Sequence, residues 1–302
     1  MSTHASTMRR PRPAHRSDLS LALRFIAPAS IGLIVFLIWP LITGIYYSFT
    51  SYDVLTPPRW TGLDNYRALI ADDRFWNSLK VTVEYVAINI GVQTILAVLI
   101  AALMHRLTKS TVVRSLILSP YLVSNVVTAL TFLWMLDIQF GIVNQLIVKL
   151  GGEAIGFWSD PKWVIPTIAL VNVWRNMGYT ALLIFAGLQG IPENLYEAGR
   201  TDGASEVSMF FRITMPLLRP ILALVLIMTI TGSFQVFDTV AVSTTGGPSD
   251  ASNVLQMYIY QKAFGEYDFG YTSALSVALL IILVIITAIQ YKLTRAGQTD
   301  LN

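Results

Sequence analysis

Six stretches of this chain are long and apolar enough to cross a bilayer as helices. They run from about Phe25 to Phe49, Leu79 to Met104, Val113 to Leu136, Trp163 to Leu188, Leu217 to Phe237 and Phe269 to Tyr291. A hydrocarbon core about 30 Å thick takes about 20 mostly apolar residues in a helix. Lipid offers no partner for backbone N–H and C=O groups, so only helices and closed barrels span it. These runs lack the alternation of barrel strands. The sequence therefore predicts an all-α integral membrane protein with six transmembrane helices. Composition agrees: charged residues make up 13% of the 302, the hydrophobic share is 54% and mean hydropathy is +0.58. Soluble domains carry about 25% charged residues. A soluble enzyme of this size and a disordered chain are both excluded.

The first run is longer than the roughly 7–15 apolar residues of a signal peptide and lacks a small-residue cleavage site, so it reads as a retained span. Lys and Arg set the orientation. With the N-terminus in the cytoplasm, 13 of the 21 basic residues fall inside and 7 outside, and Arg175 lies within the fourth span. Both termini are expected in the cytoplasm of a multi-pass plasma-membrane protein. Residues 1–20 read as a disordered basic tail, 21–295 as the membrane domain and 296–302 as a second tail. Residues 50–78, 137–162 and 239–268 are outer loops. The loop 189–216 is the longest cytoplasmic connection between spans. With no cysteine, and with His4, His15 and His105 all outside the apolar runs, no thiolate or buried histidine metal site can form.

That cytoplasmic loop carries the most information. It reads IPENLYEAGRTDGASEVSMFFRITMP from Ile191 to Pro216. Pro192 suits the first turn of a helix, and Glu193 and Glu197 near its start complement the helix dipole. Asp202-Gly203 then breaks it. A second helix with Val207, Phe210 and Phe211 on or near one face is expected to end where Pro216 begins the fifth span. Ala198, Gly199, Gly203 and Ala204 line the turn, and small residues let another protein's backbone come close.

This loop resembles the signature of permease subunits from binding-protein-dependent ABC importers: Glu-Ala-Ala, three residues, Gly, nine residues, then Ile-x-Leu-Pro. Here the positions are Glu197-Ala198-Gly199, Gly203 and Ile213-Thr214-Met215-Pro216, with Gly199 in place of the second Ala and Met215 in place of Leu. Trp174, then Ala186–Pro192, Phe234–Asp238, Thr245–Pro248, Tyr260–Phe264 and Phe269–Tyr271 are similar to the carbohydrate-uptake branch, and within it to the first of two paired permeases in maltose, lactose and glycerol-phosphate systems. The resemblance covers residues 20–295. It lacks the additional helices and large outer insertion of the maltose-type subunit.

The resemblance implies the type I importer permease fold. It also implies a non-catalytic subunit that shares a sugar pathway with a second permease. An ATPase dimer would bind ATP and Mg, and an extracytoplasmic solute-binding protein would deliver the sugar. Glu193, Glu197, Ala198, Gly199, Asp202 and Gly203 would couple to the ATPase. The chain has no Gly-x-x-x-x-Gly-Lys-Ser/Thr loop of its own, and no cofactor, metal or nucleic acid is expected on it. Glycerol-3-phosphate or a phosphodiester is the alternative cargo. The alternatives in kind are a stand-alone secondary transporter, against which no internal repeat is visible, and a membrane enzyme, which would need convergent acid, base or metal groups.

An ionisable side chain at mid-bilayer costs about 2.5–3.5 kcal/mol on insertion scales, so it faces protein or water. Arg175 lies near the middle of the fourth run, on one helical face with Asn172, Asn176 and Tyr179. Glu84, in the second run, is too near the outer surface to reach it. In the fifth run Thr229, Thr231, Ser233 and Gln235 interrupt the apolar pattern beside Gly232. Such groups either hydrogen-bond between helices or line a wet pore. The resemblance places the sugar contacts of maltose-type subunits on these two segments, matching Asn172, Arg175, Asn176 and Tyr179, then Thr229, Gly232, Ser233 and Val236; Gln235 joins them as an expected wall of the path. In the sixth run Gly270, Ala274 and Ala278 allow close packing, within the chain or against a second permease.

Overall fold

The computed structural model describes residues 16–107 and 110–294, and it is helical nearly throughout. The basic tail over 1–15 and the second tail, 296–302, lie outside the described residues. Helix α1 (Arg16–Leu33) already includes residues 16–20, which sequence assigned to the tail. It passes through a π-helical turn, Ile34–Ile38, into α2 (Trp39–Tyr47). A two-stranded hairpin, β1 (Thr50–Ser51) with β2 (Arg59–Trp60), and α3 (Asp64–Ile70) lead to α4 (Asp73–Leu107). With 35 residues at 1.5 Å each, α4 is about 52 Å long and overhangs a bilayer core.

The third run is where the structure departs most from the sequence expectation. It is not one helix. Helix α5 (Thr111–Leu122) and α6 (Asn125–Met135) meet at 88°. Val123 and Ser124 both take extended backbone angles, and Pro120 withholds an N–H just before them. Five continuous spans result, with the broken pair as a sixth. The second outer loop contains α7 (Ile142–Lys149), and the fourth span is α8 (Val164–Leu188).

In the loop beyond α8, α9 (Glu193–Thr201) and α10 (Glu206–Met209) form as expected, but α10 does not stop at Pro216. A π-helical turn over Phe210–Thr214 joins it to α11 (Met215–Phe234), and with α12 (Asp238–Ser243) the fifth span becomes a composite of 38 residues. Pro216 sits in the first turn of α11, where its missing N–H breaks nothing. Helix α13 (Leu255–Tyr260), a π-helical turn over Gln261–Gly265 and α14 (Phe269–Thr294) complete the order.

Two apolar clusters hold the bundle. One lies at the hairpin end and joins Tyr85 of α4, Ile165 and Ile168 of α8, Leu255 and Tyr258 of α13 and Leu275 of α14. The other lies toward α9 and joins Ala97, Ala101 and Met104 of α4, Ile184 and Leu188 of α8, and Leu218 and Val225 of α11. Lipid is as apolar as leucine, so close packing and hydrogen bonds bind the helices, and small residues allow the approach. Ala97, Ala101 and Ala181 are wholly buried. A Cβ on Gly178 would overlap the carbonyl oxygen of Ile117 in α5. On α14, Gly270 faces the carbonyl of Thr50 and Ala274 is fully buried, so this small-residue face packs within the chain. The first span is the opposite case. None of its most apolar window is buried, whereas 56% of the α8 window is.

At the hairpin end one carboxylate is tightly held. Tyr258 and Tyr271 donate to Asp72 Oδ2 at 2.5 and 2.6 Å, and the Arg74 N–H donates to Oδ1 at 2.9 Å. Burial alone raises the Asp72 pKa, but the two hydroxyls, with the N–H groups of Arg74 and Phe75, outweigh it and hold it below its ordinary value. Burial, then the hydrogen bond to Asp72 and its charge, push the Tyr258 hydroxyl up.

Candidate functional site

Between the two apolar clusters, the same three helices turn polar. Asn89 and Gln93 of α4, Asn172, Asn176 and Thr180 of α8, and Thr229 and Ser233 of α11 surround a cavity of about 370 Å³. Buried polar groups cost free energy unless they are hydrogen-bonded, and here they bond both across helices and one turn back along their own. Asn89 Nδ2 donates to Ser233 Oγ at 2.9 Å and to Gln93 Oε1 at 3.3 Å. Gln93 Nε2 donates to Thr180 Oγ1 at 2.8 Å. Thr239 of α12 donates to Asn172 Oδ1 at 3.2 Å. Asn172 and Asn176 each donate to the carbonyl one turn back, at 3.0 and 2.8 Å.

Arg175 has a specific reason to lie in a span. Its Nε donates to the Val123 carbonyl at 2.9 Å and its Nη2 to the Tyr121 carbonyl at 3.2 Å. These carbonyls stand at the break between α5 and α6, where no helical N–H serves them. The guanidinium fork therefore replaces the missing helical donors and staples the bend to α8. Nη1 reaches Asn176 Oδ1 at 3.3 Å, and the head sits 5.2 Å from the centre of the Tyr121 ring. Tyr121 stacks on Tyr179 with centroids 4.5 Å apart and planes 11° apart. On the second limb of the bend, Asn125 donates to Asp238 Oδ2 at 2.8 Å. Glu84 is exposed and makes no pair with Arg175.

All nine residues expected along the path line this one cavity: Asn172, Arg175, Asn176 and Tyr179 from α8, and Thr229, Gly232, Ser233, Gln235 and Val236 from α11 and its end. Sequence reasoning missed Tyr121, Asn125 and Asp238, whose approach depends on the bend. It also missed Tyr85, Asn89 and Gln93, although their four-residue spacing within an apolar run was a usable signal.

The six residues expected to couple do not share one face. Glu193, Glu197, Ala198, Asp202 and Gly203 are exposed. Gly199 turns inward: a Cβ there would sit 3.0 Å from Met209 Sδ and 3.3 Å from Ile213 Cδ1. Its smallness lets α9 lie against the next helix. Gly203, with φ +76°, ends α9 in a left-handed turn in which its N–H meets the Arg200 carbonyl at 3.0 Å and the Ala204 N–H meets the Gly199 carbonyl at 2.9 Å. Tyr196 also binds Thr214 at 2.9 Å, so α9 is a rigid knob on the fifth span.

A helical bundle with a polar mid-height cavity and a rigid knob at one end is a membrane-embedded transport subunit. The chain belongs to the family of binding-protein-dependent transport system inner membrane components, whose model matches residues 93–296. It is 33% identical over 281 residues to the sulfoquinovosyl glycerol transport system permease of Agrobacterium fabrum, covering 92% of this chain and 91% of that one. It is 31% identical over 284 residues to the trehalose/maltose transport system permease of Thermococcus litoralis, covering 92% and 95%. Its fold matches a chain from a bacterial alginate ABC transporter solved in complex with an alginate pentasaccharide-bound periplasmic protein. The TM-score there is 0.81 at 21% identity, over 91% of this chain and 94% of that one.

Proposed function

We propose that this chain is one of two permeases of an ATP-driven sugar importer and that the polar cavity is its half of the translocation path. Asn172, Asn176, Tyr179, Thr229 and Ser233 would meet the sugar, with Gly232, Gln235 and Val236 completing the wall. The observation that carries the reading is the convergence of amides, hydroxyls and two stacked tyrosines on one cavity between three spans. Sugars present hydroxyls and an apolar ring face, which amides and tyrosine rings match. A transport site must also release its cargo, so modest affinity suits it. Three guanidinium nitrogens of Arg175 are engaged by its own chain but the group keeps its positive charge, so glycerol-3-phosphate or a phosphodiester stays the alternative cargo.

In this reading the α9 end faces the cytoplasm, as do both termini, and the hairpin end faces outward. Glu193, Glu197, Ala198, Asp202 and Gly203 dock on one subunit of a separate ATPase dimer, which binds ATP and Mg. A solute-binding protein, supported by the periplasmic protein in the alginate complex, delivers the sugar. The test is uptake of labelled mono- and disaccharides into proteoliposomes holding the whole complex. Uptake should require ATP and the binding protein and should survive collapse of ion gradients. Gradient-driven uptake without ATP would replace this reading with a secondary transporter.

A further inference from the structure

Most attachments of α9 lead only to the start of the fifth span: Tyr196 to Thr214, and Gly199 against Met209 and Ile213. A different link leads elsewhere. Glu206, in the first turn of α10, uses both carboxylate oxygens on different elements. Its Oε1 accepts from Arg200 Nε of α9 at 3.4 Å, and its Oε2 accepts from Arg106 Nη2 at the end of α4 at 2.7 Å. The three side chains line a cavity of about 270 Å³ between the ends of α4 and α8 and the α9–α10 knob, so little direct packing bridges this gap. Helix α4 is one unbroken rod. From Arg106 it runs about 20 Å to Gln93 and about 32 Å to Tyr85 at 1.5 Å per residue, and both residues line the substrate cavity.

We infer that Glu206 is a positioning residue for transport: it clamps Arg200 to Arg106 and so passes movement of the ATPase-docking helix to α4, and along α4 to the cavity wall. The inference rests on the importer reading above. A rigid helix moves as a body, so a displacement at the Arg106 end reaches Asn89 and Gln93 without loss. The groups are half exposed, and such pairs contribute little to folding stability, so changing them tests the linkage and not the fold.

The experiment uses the complete importer, purified by a tag on this chain and reconstituted with its binding protein. Sugar transported per ATP hydrolysed is the readout. Glu206→Gln keeps the size but leaves one carbonyl oxygen for two guanidinium groups. Its transport per ATP should fall several-fold while the complex stays intact and ATP is still hydrolysed. A purely structural role would lower transport and hydrolysis together and leave the ratio unchanged. The reversed set Arg106→Glu, Arg200→Glu, Glu206→Arg should recover most of the ratio that Glu206→Arg alone loses. An unchanged ratio in Glu206→Gln, or no recovery in the reversed set, overturns the inference. If the wild-type complex shows no ATP-dependent uptake, the importer reading itself fails, and that outcome is distinct from both.

Discussion

The polar layer at mid-height and the knob at the α9 end both contain polar residues in an apolar chain, but they keep them in opposite ways. In the layer, Arg175, Asn89, Gln93, Asn125 and Asn172 hydrogen-bond to the chain itself. On the knob, Glu193, Glu197 and Asp202 are exposed and make no ion pair among the described residues. Water solvates a free carboxylate at a helix end for nothing; within a bundle an unpaired polar group costs kilocalories. A polar residue at mid-height is thus a structural element, whatever it does for cargo in the proposed path. Those three carboxylates on the knob are left to water, while Arg200, Glu206 and Tyr196 beside them are engaged.

The largest effect should come from breaking the layer. Arg175→Met removes the donors of two carbonyls at the bend. With about 1–3 kcal/mol for each unsatisfied buried group, the folded protein recovered in detergent should drop sharply, measured by size exclusion and thermal melting. Unchanged yield and melting would show that water replaces the guanidinium. Next is Gly178→Ala, whose Cβ overlaps the Ile117 carbonyl. It should cost about 1–3 kcal/mol by forcing α5 off α8. The same melting series checks it, and a neutral result would mean that α5 shifts freely.

On the knob, changes should spare the fold and affect coupling. Gly203→Trp forces a side chain into a left-handed turn, a local cost of about 1–2 kcal/mol, on an exposed surface. ATP hydrolysis should continue while transport falls, and normal coupled transport would remove this site from the docking surface. Asn176→Ala separates helix packing from the proposed contact with the sugar. It should reduce uptake in an intact complex with unchanged affinity of the binding protein. If melting falls as far as uptake, Asn176 only packs helices.

The smallest effect is a titration. The folded pKa of Asp72 lies below its unfolded value of about 3.9. Its contribution is therefore fully present above pH about 4 and is lost as pH falls through the folded pKa. Wild type should lose more melting temperature over that acid range than Asp72→Asn.

Apolar run length fixed the positions of the spans, because a helix in lipid must satisfy its own backbone over about 30 Å whatever surrounds it. The turn at Asp202-Gly203 and the 172–175–176–179 face were equally legible, since both are local helical geometry. The bend after Leu122 was not. Pro120 permits it, but it persists because Arg175, 52 residues away, caps the exposed carbonyls. The inward turn of Gly199 depends on Met209 and Ile213, and the continuity of α10 with the fifth span depends on a π-helical turn that propensity does not encode. Sequence determined where helices form, because their hydrogen bonds lie within a few residues. Tertiary structure alone decided which polar side chains are engaged across helices, because partners such as Val123 for Arg175 and Ser233 for Asn89 lie 52 and 144 residues away and meet only when the helices pack.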